Sequence, residues 1–330
     1  MKSPHGRART SPARGGRPRP PVVAAALLLL AGLAAGAAAR ADADLPRHTL
    51  IFARHSDPAR TDYDIWRICA DGTQLASVVV EPGHQFQVSV SPDGEEIVYT
   101  SKADGPGEIW RRPLGRGEAA NLTNHPADDS GPVWSPDGAR IAFFSLRDAE
   151  KPELYLMDLE SGSVERLTDN ALHDSGAAFS PDGGRIVWTR YFPASGEDQS
   201  GAGEIVELDL ATRRERRLTR LGGYNGGLSF SPDGSALAFH RVADGRSEIW
   251  LAAADGSDAH PITDTYVDEY SPVWSPDGGW LAVTSGVEHD GRGTFDLWLM
   301  RPDGSGARVI NPAPNSEGWQ VWRPGESLCR

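Results

Sequence analysis

The sequence predicts an all-β protein built from repeated four-stranded units, and three observations carry that prediction. Ser-Pro-Asp-Gly begins at residues 91, 135, 180, 231 and 275, at spacings of 44, 45, 51 and 44, and a period in the forties marks an array of supersecondary units. A short apolar segment follows each copy: EIVYTS, RIAFFS, RIVWTR, ALAFHR and WLAVTS. Six acidic-aliphatic segments come next, most of them ending on an aromatic: Asp64-Ile65-Trp66, Glu108-Ile109-Trp110, Glu153-Leu154-Tyr155, Glu204-Ile205-Val206, Glu248-Ile249-Trp250 and Asp296-Leu297-Trp298.

Each strand of the unit has its own justification. The first ends on an apolar or aromatic residue just before the tetrapeptide (Val90, Trp134, Phe179, Phe230, Trp274). In the tetrapeptide itself proline presets φ, aspartate suits the third turn position and glycine takes the left-handed conformation, so its five copies are hairpin turns, not active sites. The second and third strands show period-two alternation. After most third strands comes a turn, as at Asp71-Gly72 or Asp255-Gly256, and the fourth strand ends at Leu122-Thr123, Leu167-Thr168, Leu218-Thr219 or Ile262-Thr263. Four short strands in about 45 residues is the layout of a β-propeller blade.

Five turns and six third strands are reconciled at the C-terminus. There GWQVWRPGE (residues 318–326) parallels SGPVWSPDG (residues 130–138), with Arg323-Pro324-Gly325 as a worn turn. The chain thus ends on the first strand of a blade whose other strands begin at Thr49–His55. The expectation is a six-bladed propeller over residues 46–330, its ring closed by pairing the C-terminal strand with the N-terminal blade, which removes exposed sheet edges. The 51-residue interval places its extra residues, Tyr191–Gly203, in a loop between two strands.

The repeated F/W-S-P-D-G, followed by I-A-F/V-x-S and then E-I-W, resembles the TolB-like β-propeller repeat. The resemblance covers about 285 residues, 46–330. It implies a periplasmic protein with a binding role in the cell envelope. Relatives attach the propeller to an α/β domain or an α/β-hydrolase domain; here no segment of that size separates the N-terminal apolar run from Thr49, and no G-x-S-x-G elbow occurs. Related repeats also occur in a propeller lyase family. The alternative is therefore an enzyme, a polysaccharide lyase or hydrolase with its site in the central channel.

Six basic residues between Lys2 and Arg19 precede the apolar run Val22–Ala39, and small residues follow it. This is a signal-peptide layout over residues 1–41, with cleavage near Ala41 or Ala43 and a periplasmic or secreted product; contact with a membrane would come only through an uncleaved anchor. Loss of that segment takes the formal charge from −13 to −20. So acidic a surface repels phosphate backbones, which excludes nucleic acid and favours a basic protein segment or a cation.

No H-E-x-x-H, C-x-x-C, EF-hand or phosphate-binding glycine motif is present, and His84, His125 and His173 merely precede first strands. The chain is therefore expected to be non-enzymatic, monomeric and without a cofactor. Six residues before each turn stand Gln85, Asp129, Asp174, Asn225, Glu269 and Glu317. On the propeller reading they ring the channel mouth and form an acidic site for a basic segment of a protein partner, or for calcium through oxygen ligands. Cys69, on the third strand of the first blade, and Cys329, just past its closing strand, are positioned to staple the seam by a disulfide.

Overall fold

The computed structural model describes residues 45–55, 62–103, 105–194, 201–289, 292–312, 316–325 and 329. The signal-peptide segment 1–41, both cleavage positions and residues 195–200 of the long interval lie outside the described residues.

The described chain is all β. Strands β1 (Thr49–His55), β2 (Tyr63–Cys69) and β3 (Ala76–Val79) form an antiparallel sheet, and the last strand, β24 (Glu317–Trp322), adds to it beside β1. The second sheet holds β4 (Gln85–Val90), β5 (Glu96–Ser101), β6 (Glu108–Pro113) and β7 (Ala120–Asn121). The third holds β8 (Asp129–Trp134), β9 (Arg140–Ser145), β10 (Glu153–Asp158) and β11 (Val164–Arg166). Next come β12 (His173–Phe179), β13 (Arg185–Phe192), β14 (Ala202–Asp209) and β15 (Arg214–Arg217), then β16 (Gly223–Phe230), β17 (Ala236–Ala243), β18 (Arg246–Ala253) and β19 (His260–Pro261). These two sets join into one sheet through a short parallel contact of Ala202 and Gly203 with Gly223 and Tyr224. The last sheet holds β20 (Glu269–Trp274), β21 (Leu281–His289), β22 (Arg292–Met300) and β23 (Arg308–Asn311).

Consecutive sets pack face to face, which explains a feature of the second strands. Ile97-Val98-Tyr99, Ile186-Val187-Trp188 and Leu237-Ala238-Phe239 are buried without interruption, because both faces of each set are covered and strict alternation gives way to apolar runs. Six apolar clusters fill the interfaces. One of them joins Leu50, Phe52 and Trp322 to Trp280, Leu297 and Leu299, the first set to the last. The first strands also touch in succession: β24 on β4, β4 on β8, β8 on β12, β12 on β16, β16 on β20, and β20 on β24.

The Ser-Pro-Asp-Gly turns are built alike. In the second copy the buried Ser135 hydroxyl donates to Asp137 Oδ1 and accepts from the Arg140 amide at 2.9 Å, while the Ala139 amide donates to Asp137 at 3.0 Å. Gly138 closes the turn at φ +73°, its amide on the Ser135 carbonyl at 2.9 Å. The other four copies repeat the Ser–Asp bond at 2.5–2.6 Å. In the worn copy Gly325 keeps φ +80°, and Arg323 replaces serine by reaching across to the neighbouring turn, donating to the Gly94 carbonyl at 2.7 Å and pairing with Glu95 at 3.0 Å. Cys69 and Cys329 form a disulfide with Cα atoms 5.7 Å apart, tying the tail after β24 to β2.

Two sequence expectations shift. The Leu-Thr pairs lie just beyond short edge strands, where the threonine hydroxyls of Thr123, Thr168, Thr219 and Thr263 accept the amides of Ile109, Leu154, Ile205 and Ile249 at 2.9–3.1 Å. Tyr191, Phe192, Ala202 and Gly203 are not loop but prolong β13 and β14 to eight residues each.

Candidate functional site

Each first strand carries one irregularity, and it decides which residues face the centre. In β4 the pairing with β5 jumps from Phe86–Thr100 to Ser89–Val98, so Gln87 and Val88 oppose Tyr99 alone. The same two-against-one bulge recurs in β8, β12, β16, β20 and, against β1, in β24. Each of these bulges carries one left-handed residue, as the G1 type does. It stands four positions before each turn: Gln87, Gly131, Gly176, Gly227, Ser271 and Trp319, with φ from 50° to 66°.

The bulge overturns the acidic mouth. By adding one residue it resets side-chain alternation, and the residues six before the turn are turned into the sheets. Gln85, Asp129, Asp174, Asn225, Glu269 and Glu317 are all buried. Arginines already neutralise three of the carboxylates: Arg190 clasps Asp174 at 2.7 and 2.8 Å, Arg147 reaches Asp129 at 2.8 Å, and Arg54 lies 3.6 Å from Glu317. Asn225 donates to the Gly203 carbonyl at 2.7 Å, Gln85 to the Pro82 carbonyl at 3.0 Å, and Glu269 accepts from Thr265 at 3.1 Å. Burial raises the Glu269 carboxyl above its ordinary value; it pushes Glu317 up to about 7 despite Arg54. These side chains lock strand starts, and a basic peptide or calcium finds no accessible carboxylate ring in them. Among the described residues no three His, Cys, Asp or Glu side chains converge as a group that could hold a metal.

What faces the centre is a cavity of about 360 Å³ lined by all six first strands at their bulges. Its wall includes Gln87, Gly131, Gly176, Gly227, Ser271 and Trp319, with Tyr224, His240 and Gln320. Among the described residues no aspartate, glutamate, lysine or arginine lines it. His240 is held neutral, its pKa lowered to about 4 by burial, and its Nδ1 accepts the Ser271 amide at 3.3 Å. Gln320 is anchored by the Thr284 hydroxyl at 2.7 Å and by its own donation to the Ser271 carbonyl at 2.6 Å.

Aromatic rings surround this cavity. Trp319 meets Tyr63 edge-on at 5.1 Å and Phe86 at 5.4 Å, and Tyr63 meets His55 at 3.9 Å. Across the cavity Tyr224, His240, Tyr270 and Phe295 form a second chain with centroids 5.2–5.7 Å apart. Trp319 and Tyr224 are more than a third exposed, and Tyr191, also exposed, lines an adjoining cavity of about 320 Å³ with Tyr224, His173 and Thr189. Sequence reasoning passed over these residues, although the glycine four before the turn in three copies signalled the bulge.

The comparisons agree with this architecture. Residues 47–201 match the family model described as the TolB beta propeller domain. The structure of TolB from Acinetobacter baumannii aligns with a TM-score of 0.69 at 25% identity, over 84% of this chain and 67% of that one. An oligogalacturonate lyase in complex with manganese shares the fold, with a TM-score of 0.51 at 18% identity over 79% of this chain and 72% of its own. An uncharacterized peptidase of Bacillus subtilis, YuxL, is 26% identical over 230 residues, 67% of this chain and 31% of that protein. The chain spans about a third or less of the length of the curated relatives it matches. Its repeats, turn by turn and strand by strand, are similar to those of the TolB-like β-propeller family, whose model matches residues 47–201.

Proposed function

We propose that this chain is an exported, non-catalytic binding scaffold of the bacterial cell envelope, a monomeric six-bladed propeller that engages a protein partner at the aromatic end of its central cavity. The six-bladed ring rests on the six four-strand sets, on the circuit of contacts among their first strands and on the pairing of β24 with β1. The signal-peptide layout of residues 1–41 and the kinship with periplasmic TolB support export. One observation carries the binding role: Trp319, Tyr224 and Tyr191, among the few exposed large apolar side chains described, gather at the cavities instead of scattering over the surface. Exposed aromatics grouped around a concavity are what recognition sites present. Binding is favoured over catalysis because, among the described residues, His240 is the one candidate general base on the cavity wall, and its Nδ1 is occupied.

Cell fractionation and affinity capture test the reading together. The full chain should reach the periplasm, mass spectrometry of the product should show loss of residues 1–41 or 1–43, and a partner should be captured that Phe86→Ala together with Tyr63→Ala releases. Cytoplasmic retention, capture indifferent to those substitutions, or turnover of uronate polymers or peptides by the purified chain would overturn it.

A further inference from the structure

The six first strands share one bulge, yet they fill its left-handed position in two ways. Gly131, Gly176 and Gly227, on the neighbouring strands β8, β12 and β16, adopt it freely at φ 62–66°. Gln87, Ser271 and Trp319 adopt it at φ 50–52° with side chains that disfavour it, and their strands β20, β24 and β4 are also neighbours. Glycine suffices for the bulge, as half of the copies demonstrate. The strained half therefore holds its side chains for another reason, and backbone strain of this kind collects at ligand sites.

All three strained residues line the same cavity. They bring a partly exposed indole, an amide and a hydroxyl to the cavity wall, while the glycine arc opposite brings no side chain there. The Gln87 carbonyl oxygen is committed to the Thr100 hydroxyl and the Gly131 amide, each at 3.0 Å, so its NH₂ remains as a donor. His240 accepts the Ser271 amide at Nδ1, which fixes the neutral tautomer whose Nε2 carries the proton.

We propose that this cavity binds an uncharged sugar unit, stacked on Trp319 and hydrogen-bonded by Gln87, Ser271 and His240. An aromatic face receives the C–H face of a pyranose ring, while amide, hydroxyl and imidazole groups meet its hydroxyls. A charged ligand would sit unpaired, since no charged side chain among the described residues lines the wall. An anionic sugar would meet, in addition, the negative field of a chain whose formal charge is −13. A wholly apolar ligand would leave the donors without partners. A cavity of about 360 Å³ lies within the size range of small-molecule sites. This site goes beyond the scaffold reading and does not depend on it.

Calorimetric titration of the full exported protein with chitotriose, cellotriose and maltotriose, and with trigalacturonate as the anionic comparison, tests the proposal. At least one neutral trisaccharide should bind at one site per chain and trigalacturonate should not. Trp319→Gly should weaken binding about ten-fold or more while leaving the thermal midpoint unchanged or raised, because glycine relieves the backbone as the ring is lost. Ser271→Gly and Gln87→Ala, read alongside, should each weaken binding several-fold. Failure of all three neutral sugars to bind, tighter binding of trigalacturonate, or affinity unchanged across the three variants would overturn the proposal. Sugars that fail while the protein partner is still captured would leave the scaffold reading standing.

Discussion

Within the same six strands the turns and the bulges, four residues apart, follow opposite rules. At the turns sequence and geometry are both repeated: Ser-Pro-Asp-Gly forms the same bonds five times, and turns nest so closely that a Cβ on Gly138, Gly183, Gly234 or Gly278 would lie 3.5–3.7 Å from the proline of the preceding turn. At the bulges only geometry is repeated, and the residues change from strand to strand. Where the backbone itself is the product, one residue set is retained; where side chains face a cavity, the repeat is free to diverge. The identical residues mark what packs the strand sets together, and the departures mark what faces the cavity.

The largest expected losses fall on elements that secure strands against each other, with no change at the cavity. Reducing Cys69–Cys329, or replacing Cys329 with serine, should lower unfolding stability by about 4 kcal/mol on chain-entropy grounds, because the bond closes a loop with a sequence separation of 260; urea unfolding with and without reductant measures it. Arg190→Ala strands the buried Asp174 carboxylate and should cost about 3–5 kcal/mol. At the turn end, Ser135→Ala removes a fully buried hydroxyl that serves Asp137 and the Arg140 amide, at about 1–3 kcal/mol. If any of these variants, while folded, lost cavity binding as well, the division between the two regions would fail.

The regions also differ in their response to pH. The turn aspartates are held below their ordinary value, chiefly by their serine hydroxyls, with Asp233 lowered to about 2; they favour the folded state above pH 3.8, and that gain is lost in acid. Glu317 behaves in the opposite sense. Its folded pKa of about 7 lies above the ordinary 4.5, so its contribution is complete below pH 4.5 and is lost as pH rises through 7. Unfolding stability compared at pH 5 and pH 8 should show a decline of order 2–3 kcal/mol that Glu317→Gln largely removes.

Much of the fold was legible because the turn is a local device. Proline, aspartate and glycine act within four residues, so Ser-Pro-Asp-Gly fixed the strand order and even exposed its worn sixth copy at Arg323-Pro324-Gly325, beside the seam where Cys69 and Cys329 meet. The site was not legible by the same counting. Period-two alternation sends Asp129 or Glu317 to the centre, and one inserted residue turns them into the sheets beside arginines that lie 18 or 263 positions away in sequence. Glycine at 131, 176 and 227 announced that insertion, whereas Gln87, Ser271 and Trp319 concealed it, because nothing local to those residues predicts a left-handed backbone.

The smallest effect gives the sharpest separation of the two regions. Ser271 is held at φ +50° by a bulge that Gly227 supports on the neighbouring strand, and its backbone amide and carbonyl make the contacts to His240 and Gln320. Ser271→Gly leaves both contacts possible and removes a Cβ from a left-handed position, so it should stabilise the protein by about 1 kcal/mol, a rise of a few degrees at most in thermal midpoint. Gly94→Ala at the turn end is the matched opposite: the added Cβ would lie 2.5 Å from the Pro324 carbonyl oxygen at φ +77°, and stability must fall. A cavity serine whose loss stabilises the fold while weakening a ligand is retained for binding; a Ser271→Gly variant that melts lower than the parent would instead make the serine a structural residue and return the bulge to the same rule as the turn.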